Sequence, residues 1–326
     1  MSIIIPNHNY ADFVGAAIES ALVQDWPDVE VIVVDDASSD DSRRVIAEFG
    51  DRIDQLFLTE NVGQRVACNK GFARSTGEAV IFLDSDDMLL PDCARLAAEA
   101  LAPGVSKVQY QVRRVDNTGA DTGTETPRFS AAIEPARIRF WYDRTSAYPT
   151  PPGSGNAYAR WFLERIMPLG ELPDARFIDS ALLSAAPVLG DVVTIPRPLA
   201  LYRRHDRNDS ALLVDPSRFH REVERGFARA LYAEALCDPP GAQSTRRCRR
   251  SRELLGFRVA ARRLTPHLPA PLPDARRTLL LDIVLSPFHP GPESIRHRAL
   301  LGLWCLAVLL SPKRLVLTLI KRRYRA

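Results

Sequence analysis

No uninterrupted apolar run in this 326-residue chain reaches the roughly 18–20 residues that a membrane-spanning helix needs. No GxGxxG follows the first apolar run, and no GxxxxGK followed by Ser or Thr occurs anywhere. The dinucleotide fingerprint and the phosphate loop are therefore both missing, and any phosphate bound here needs a metal rather than a glycine cradle. Cysteine is sparse: Cys68, Cys93, Cys237, Cys248 and Cys305 show no CxxC and no pairing rhythm. That excludes a disulfide scaffold and leads us to expect reduced thiols in a cytoplasmic compartment. Met1 runs directly into Ser2 and three isoleucines, without a basic leader or a small-residue cleavage site, so no secretory signal is expected. Acidic residues are scarce at one end only. From Gly241 onward there are 18 Lys/Arg against 4 Asp/Glu, leaving 25 against 36 before it, an asymmetry hidden by the net charge of +3. An acidic globular part with a basic tail points to an anionic surface as the tail's partner.

What is present is organised around Ala79 to Asp87. Five apolar residues, enough for one strand buried on both faces, run into Asp84, Asp86 and Asp87. Parallel sheets gather ligands at the carboxyl ends of their strands. Asp84 and Asp86 are two apart, so in extended chain they project to one side, an arrangement suited to a hard divalent cation and its phosphates. The same tetrapeptide also reads as a solvated turn, and the rest of the chain must decide. Ser2 to Ile5, Glu30 to Val34 and Ile53 to Leu58 are further strands. Helices are expected through Val14, Ile18 and Leu22 (with Asp12 as N-cap), through Val45 and Phe49, and from Asn61 through Gly71. This alternation predicts an α/β fold with a doubly wound, mostly parallel sheet and flanking helices. Asp35 and Asp36 deliver a second acidic strand end to the same edge, where a carboxylate either meets a ribose or base or caps the next helix.

Four motifs then occur in order: Ile3 to Pro6 with Asn9 and Tyr10; Val33 to Asp36 with Ser38 and Asp40; Asn61, Gly63, Ala67, Asn69 and Gly71; and Phe82 to Asp87 with Pro91. Together they resemble the nucleotide-sugar-binding half of a family 2 inverting glycosyltransferase of GT-A fold with its DxD motif, over roughly residues 2 to 95. The resemblance implies that Pro6, Asn9 and Asp36 contact the nucleoside, and that the segment from Asn61 to Asn69 borders the donor. It implies that Asp86 ligates the metal, Mn²⁺ or Mg²⁺, with Asp84 near the ribose and sugar and Asp87 structural. A divalent ion on a diphosphate would neutralise the charge of the departing nucleotide.

Beyond Pro91, Val108, Tyr110 and Val112 alternate as a strand, Asn117 to Gly119 is a turn, and residues 121 to 155 read as acceptor-side loops. Asn156, just ahead of a helix through Ile166, resembles a sugar-site position and reads equally as a loop-to-helix cap. Asp179 matches the family's general base, although Ile178 replaces the Glu that usually precedes it; an Asp capping its own helix is the competing reading. Val192 to Ile195 and Leu199 to Tyr202 are short strands around two prolines. They lead into Arg203, Arg204, His205, Asp206, Asn208 and Ser210, which resemble the family's closing motif, implying Arg204 at the diphosphate and His205 at the metal. Residues 1–210 are then the catalytic domain (1–95 donor half, 96–210 acceptor half), and 211–326 a basic helical C-terminal extension.

Two short apolar arms, Ala299 to Leu310 and Leu315 to Ile320, flank Lys313 and Arg314 and end in a basic cluster. They read either as an interfacial pair on the anionic inner leaflet or as helices packed on the protein. No nucleic-acid module is present. The expected function is metal-dependent transfer of a sugar from a nucleoside-diphosphate sugar to a hydroxyl of a glycan or lipid-linked acceptor. Cell-surface polysaccharide or glycolipid synthesis is the expected setting, with the protein cytoplasmic and peripheral to the inner membrane face. The alternatives are a sugar nucleotidyltransferase, disfavoured by the missing triphosphate loop, and a non-catalytic glycan-assembly adaptor.

Overall fold

The three isoleucines after Ser2 are completely shielded from solvent, which only a strand covered on both faces allows. Burying each contributes roughly 1.5–3 kcal/mol. The computed structural model describes residues 1–170, 178–205, 215–236, 244–268 and 276–324. Asp206, Asn208, Ser210 and Cys237, used in the sequence reading, lie outside them. Contacts divide the chain into two units: Met1–Ile138 with Thr150–Asp206, and Arg139–Pro149 with Arg207–Ala326.

In the first unit, β1 (Ser2–Asn7), β2 (Glu30–Asp35), β3 (Asp54–Phe57) and β4 (Ala79–Phe82) form a parallel half-sheet in the order β3-β2-β1-β4. α1 (Ala11–Leu22), α2 (Ser42–Ala47) and α3 (Gln64–Arg74) are its crossovers. α1 buries Val14, Ala17, Ile18 and Ala21, one stripe at helical spacing. Asp12, expected as its N-cap, lies inside the first turn; Asp40 Oδ2 accepts from Ala11 N instead, at 3.0 Å. β5 (Met88–Leu89) and α4 (Cys93–Ala100) follow, then β6 (Val105–Val115) and β7 (Asp121–Thr126), joined at Gly119 (φ 89°) by the turn expected there.

α5 (Pro135–Thr145) follows, belonging from Arg139 onward to the second unit, and β8 (Asn156–Ala159), α6 (Arg160–Ile166), α7 (Ile178–Leu189) and β9 (Asp191–Arg203) complete the first. Three expectations are corrected here. Residues 121 to 155 hold a strand and a helix rather than loops alone, because the long β6 offers β7 an open edge. Asn156 opens a strand, antiparallel to both β4 and β6, rather than capping a helix. The two short proline-flanked strands are one, β9, whose pairing with β6 shifts register between Ile195 and Pro198. A proline has no N–H to donate, and the irregularity carries it past the ladder. The nine-stranded sheet is thus mixed, parallel through its first half, with β8 turning it towards β6, β9 and β5.

The second unit is helical: α8 (Ser217–Ala235), α9 (Ser244–Arg250), α10 (Arg252–Leu264), α11 (Arg276–Leu285), α12 (Ile295–Leu310) and α13 (Lys313–Tyr324). Its core holds Phe219, Val223, Leu255, Val259, Ile283, Cys305 and Ile320. The two apolar arms are α12 and α13, each burying one face and leaving leucines such as Leu300, Leu303, Leu310 and Leu315 exposed. Among the described residues no helix is long and apolar enough to cross a membrane. Cys68, Cys93, Cys248 and Cys305 are free and buried.

Candidate active site

Asp35 and Asp36 at the end of β2 do different work. Asp35 faces inward, accepting from Asn7 Nδ2 at 3.1 Å and from Arg43 Nε at 2.9 Å. Asp36 accepts from the backbone N–H of Val62 at 2.8 Å and of Gly63 at 2.7 Å, so it holds the turn that opens α3. Gly63 has φ 85°, a conformation glycine takes without cost. His8 joins this edge through Nδ1 to Asp36 O at 2.7 Å, and its Nε2 meets Asn9 and Asn61. Asn9 itself, at φ 59°, accepts from Ser39 N at 2.7 Å and ties the β1 turn to the β2 turn. Pro6 is buried within β1.

After β4 the chain tightens: Asp87 N donates to Asp84 O at 3.0 Å, folding the acidic tetrapeptide into a turn. Asp84, Asp86 and Asp87 thereby each bring an oxygen within 4.8 Å of the others. Gln64 Nε2, from α3, donates to Asp84 Oδ1 at 2.8 Å. Burial pushes the Asp84 carboxyl well above the usual carboxylate range, and the charges of Asp179, Asp86 and Asp87 add to that. Burial, then Asp86, does the same to Asp87. Asp84 and Asp87 resist ionising for want of counter-charge, and with Asp86 beside them the three carboxylates are a donor set for a hard divalent cation.

His205 Nε2 lies 2.9 Å from Asp86 Oδ2. The ring stacks on Phe13, with centroids 4.9 Å apart and planes at 14°, and Tyr10 stands 5.6 Å away. The closing strand thus returns to the acidic turn, bringing together the two residues expected at the metal. Arg204, expected at the diphosphate, is exposed; its neighbour Arg203 is buried and does the tethering. Arg203 N donates to Asp87 Oδ1 at 2.9 Å, Nε to Asp86 O at 3.0 Å, and Nη1 to Asn117 O at 3.0 Å.

Asp179 stands in the first turn of α7, half-buried. A Cβ added to Gly153 would lie 2.6 Å from its Oδ2, so the carboxylate rests directly on that glycine. Its charge reaches Asp84, Cys68 and Lys107. Lys107, on β6, is fully buried; Nζ donates to Thr150 Oγ1 at 2.9 Å and Asn156 Oδ1 at 3.0 Å. Burial holds this lysine well below its ordinary value, with Asp179 opposing the shift. Asn156 Nδ2 in turn donates to Pro152 O and Gly153 O at 2.9 and 3.1 Å, binding the loop that carries the glycine. Asn69, expected at the donor, gives both ends of its amide to the backbone of Leu169, each at 3.0 Å.

The sequence reading brought Asp84, Asp86, Asp179 and His205 forward, and they converge. It passed over Gln64, Lys107 and Gly153, and named Arg203 in the closing motif without a role of its own. A lysine within a strand shielded on both faces was the available signal for Lys107; Gly153 had none, because only α7 brings a carboxylate against it.

Residues 2–159 match the family model described as glycosyl transferase family 2. An uncharacterized glycosyltransferase of Nostoc sp. is 34% identical over 217 residues, covering 64% of this chain and 66% of the relative. The chain spans at most about two thirds of the length of such curated relatives. Among solved structures, Staphylococcus aureus TarS in complex with UDP-GlcNAc superposes with a TM-score of 0.58 at 17% identity, covering 99% of this chain and 91% of that one. Mannosyltransferase PcManGT from Pyrobaculum calidifontis, in complex with GDP-Man and Mn²⁺, gives 0.51 at 21% identity, covering 99% and 84%. Those two share the fold, the GT-A arrangement of a curled, mostly parallel sheet between helices. On the strength of that match, its relatives and that fold, residues 2–159 of the chain are a glycosyl transferase family 2 domain.

Proposed function

We propose that this protein is a metal-dependent inverting glycosyltransferase that moves a sugar from a nucleoside diphosphate to a hydroxyl of a glycan or lipid-linked acceptor. The observation that carries the reading is the convergence on one site of the acidic turn Asp84 to Asp87, His205 and the Asp179 carboxylate. Residues 1–210 are read as the catalytic domain, 1–95 holding the donor and 96–210 the acceptor. Asp36 and the turn it holds at Val62 and Gly63 border the nucleoside, with Pro6 and Asn9 beside them. Asp86 and His205 would hold a divalent ion, Mn²⁺ or Mg²⁺, which would supply counter-charge for the leaving diphosphate. Asp84 faces the sugar and ribose. Asp179 takes the proton of the acceptor hydroxyl as its oxygen attacks the anomeric carbon from the face opposite the diphosphate, which inverts the configuration. TarS and PcManGT were solved with UDP- and GDP-linked sugars, so both nucleotides belong in a donor screen. The basic helical extension, 211–326, is read as the membrane-facing part, placing the enzyme on the inner leaflet for cell-surface polysaccharide or glycolipid synthesis.

The test is release of nucleoside diphosphate from a panel of sugar nucleotides, with Mn²⁺ or with EDTA, paired with the anomeric configuration of the product by NMR. Turnover should require the metal and invert the anomeric centre. Asp179→Asn should lower turnover by about 10³-fold or more while donor binding persists. Metal-independent turnover, a retained configuration or an active Asp179→Asn enzyme would each overturn the corresponding part of the reading.

A further inference from the structure

Within the helical unit lies a cavity of about 760 Å³. Its charged lining is of one sign, Arg258, Arg262 and Arg263 from α10, Arg276 from the start of α11 and Lys313 from the start of α13, with His220 and Thr265 as further polar residues. No carboxylate among the described residues lines it. Asp282, at 2.7 Å, pairs with Arg258 and offsets one of these charges. The remaining lining is largely hydrocarbon, including Leu279, Leu280, Leu309 and Leu310. Leu310 is 74% exposed, so this apolar wall reaches the surface. The same two helices carry further exposed leucines, Leu281 on α11 and Leu300 and Leu303 on α12.

We propose that this cavity seats the phosphate headgroup of an anionic phospholipid, whose acyl chains leave along the leucines of α11 and α12. Guanidinium groups match phosphate oxygens in charge and in hydrogen-bond geometry. The volume lies in the range that accommodates a single small ligand rather than a polymer. A free phosphate would leave the leucine wall in water, whereas an amphiphile covers it and gains the apolar burial. No Phe, Tyr or Trp lines the cavity, and stacking on such rings is the usual means of holding single-stranded nucleic acid. The assignment rests on the membrane-facing reading of the extension, and its test separates the two. It uses no part of the transfer chemistry.

The experiment titrates the full-length protein with dihexanoyl phosphatidic acid below its micelle concentration, and separately with inorganic phosphate, by isothermal calorimetry. A dispersed short-chain lipid cannot exploit a charged surface at large, so saturation reports a defined site. Arg276 and Lys313 are both exposed, so Arg276→Gln with Lys313→Gln leaves the bundle core intact; a thermal melt checks this. Arg314→Gln with Lys321→Gln removes the same charge from residues that do not line the cavity. We expect saturable lipid binding that the first pair weakens about tenfold or more and the second by less than about twofold. Equal weakening by both pairs, or no saturation at all, overturns the cavity assignment. Inorganic phosphate binding as tightly as the lipid overturns the lipid and leaves a phosphate site. If the wild type adsorbs to phosphatidylglycerol vesicles while the short-chain lipid fails to saturate, the membrane-facing reading stands and the cavity falls.

Discussion

Gly153 is the floor on which the Asp179 carboxylate rests, and the contact turns a glycine into a test of that carboxylate's placement. Its backbone is not in the left-handed region, so an alanine there meets no conformational penalty, only the collision of its Cβ with Oδ2 at 2.6 Å. The carboxylate must move by several tenths of an ångström or rotate away, and misplacing a catalytic group by about 1 Å can cost 10²-fold. Gly153→Ala should therefore lower kcat by about 10–100-fold, with KM for the sugar nucleotide within about twofold and the melting temperature nearly unchanged. An unaltered kcat would show that Asp179 is not held where the reaction needs it. Lys107 and Asn156 serve the same loop from below: their hydrogen bonds fix Thr150, Pro152 and Gly153, so a buried lysine supports the site without touching solvent.

Among the elements, the turn between β3 and α3 depends most on one side chain. Asp36 is 3% exposed and accepts from two consecutive backbone N–H groups, Val62 and Gly63, ahead of the first turn of α3. Removing the carboxylate leaves the Val62 N–H without this acceptor and the Gly63 N–H with Asn61 Oδ1 alone at 3.1 Å, in a part-buried place where a lost partner costs about 1–3 kcal/mol. Asp36→Ala should accordingly reduce unfolding free energy by roughly 2–3 kcal/mol in urea titration and raise KM for the donor nucleotide. A loss below about 1 kcal/mol would mean that the turn is held by something else. β9 shows the opposite case, an element held by its neighbour rather than by a cap. It runs past Pro196 and Pro198 because β6 pairs with it on either side of the irregularity, and it ends by laying Arg203 and His205 against the acidic turn.

Across the whole molecule the charge is divided, with 18 Lys/Arg against 4 Asp/Glu from Gly241 onward and an acidic remainder. Adsorption to anionic vesicles driven by that division should weaken as salt is raised from about 0.05 to 0.5 M, as screening shortens the reach of exposed charges. Binding to neutral vesicles, carried by the exposed leucines of α12 and α13, should change far less; co-sedimentation reads both, and salt-insensitive adsorption to anionic vesicles would remove electrostatics from the account. Strands β1, β2 and β4, the acidic ends of β2 and β4, and the basic tail were legible because buried parallel strands demand unbroken apolar runs and because charge is written directly in composition. The nearness of Asp179 to Asp84, the service of Lys107 and Gly153 beneath it, and the choice of Arg203 over Arg204 were not legible. Those contacts join residues 26 to 117 positions apart, and local periodicity carries no information about which distant chain arrives against a given atom. The sequence determined which edge of the sheet would be acidic; tertiary packing alone decided which carboxylates share it, because only the closed sheet brings β9 and α7 to that edge.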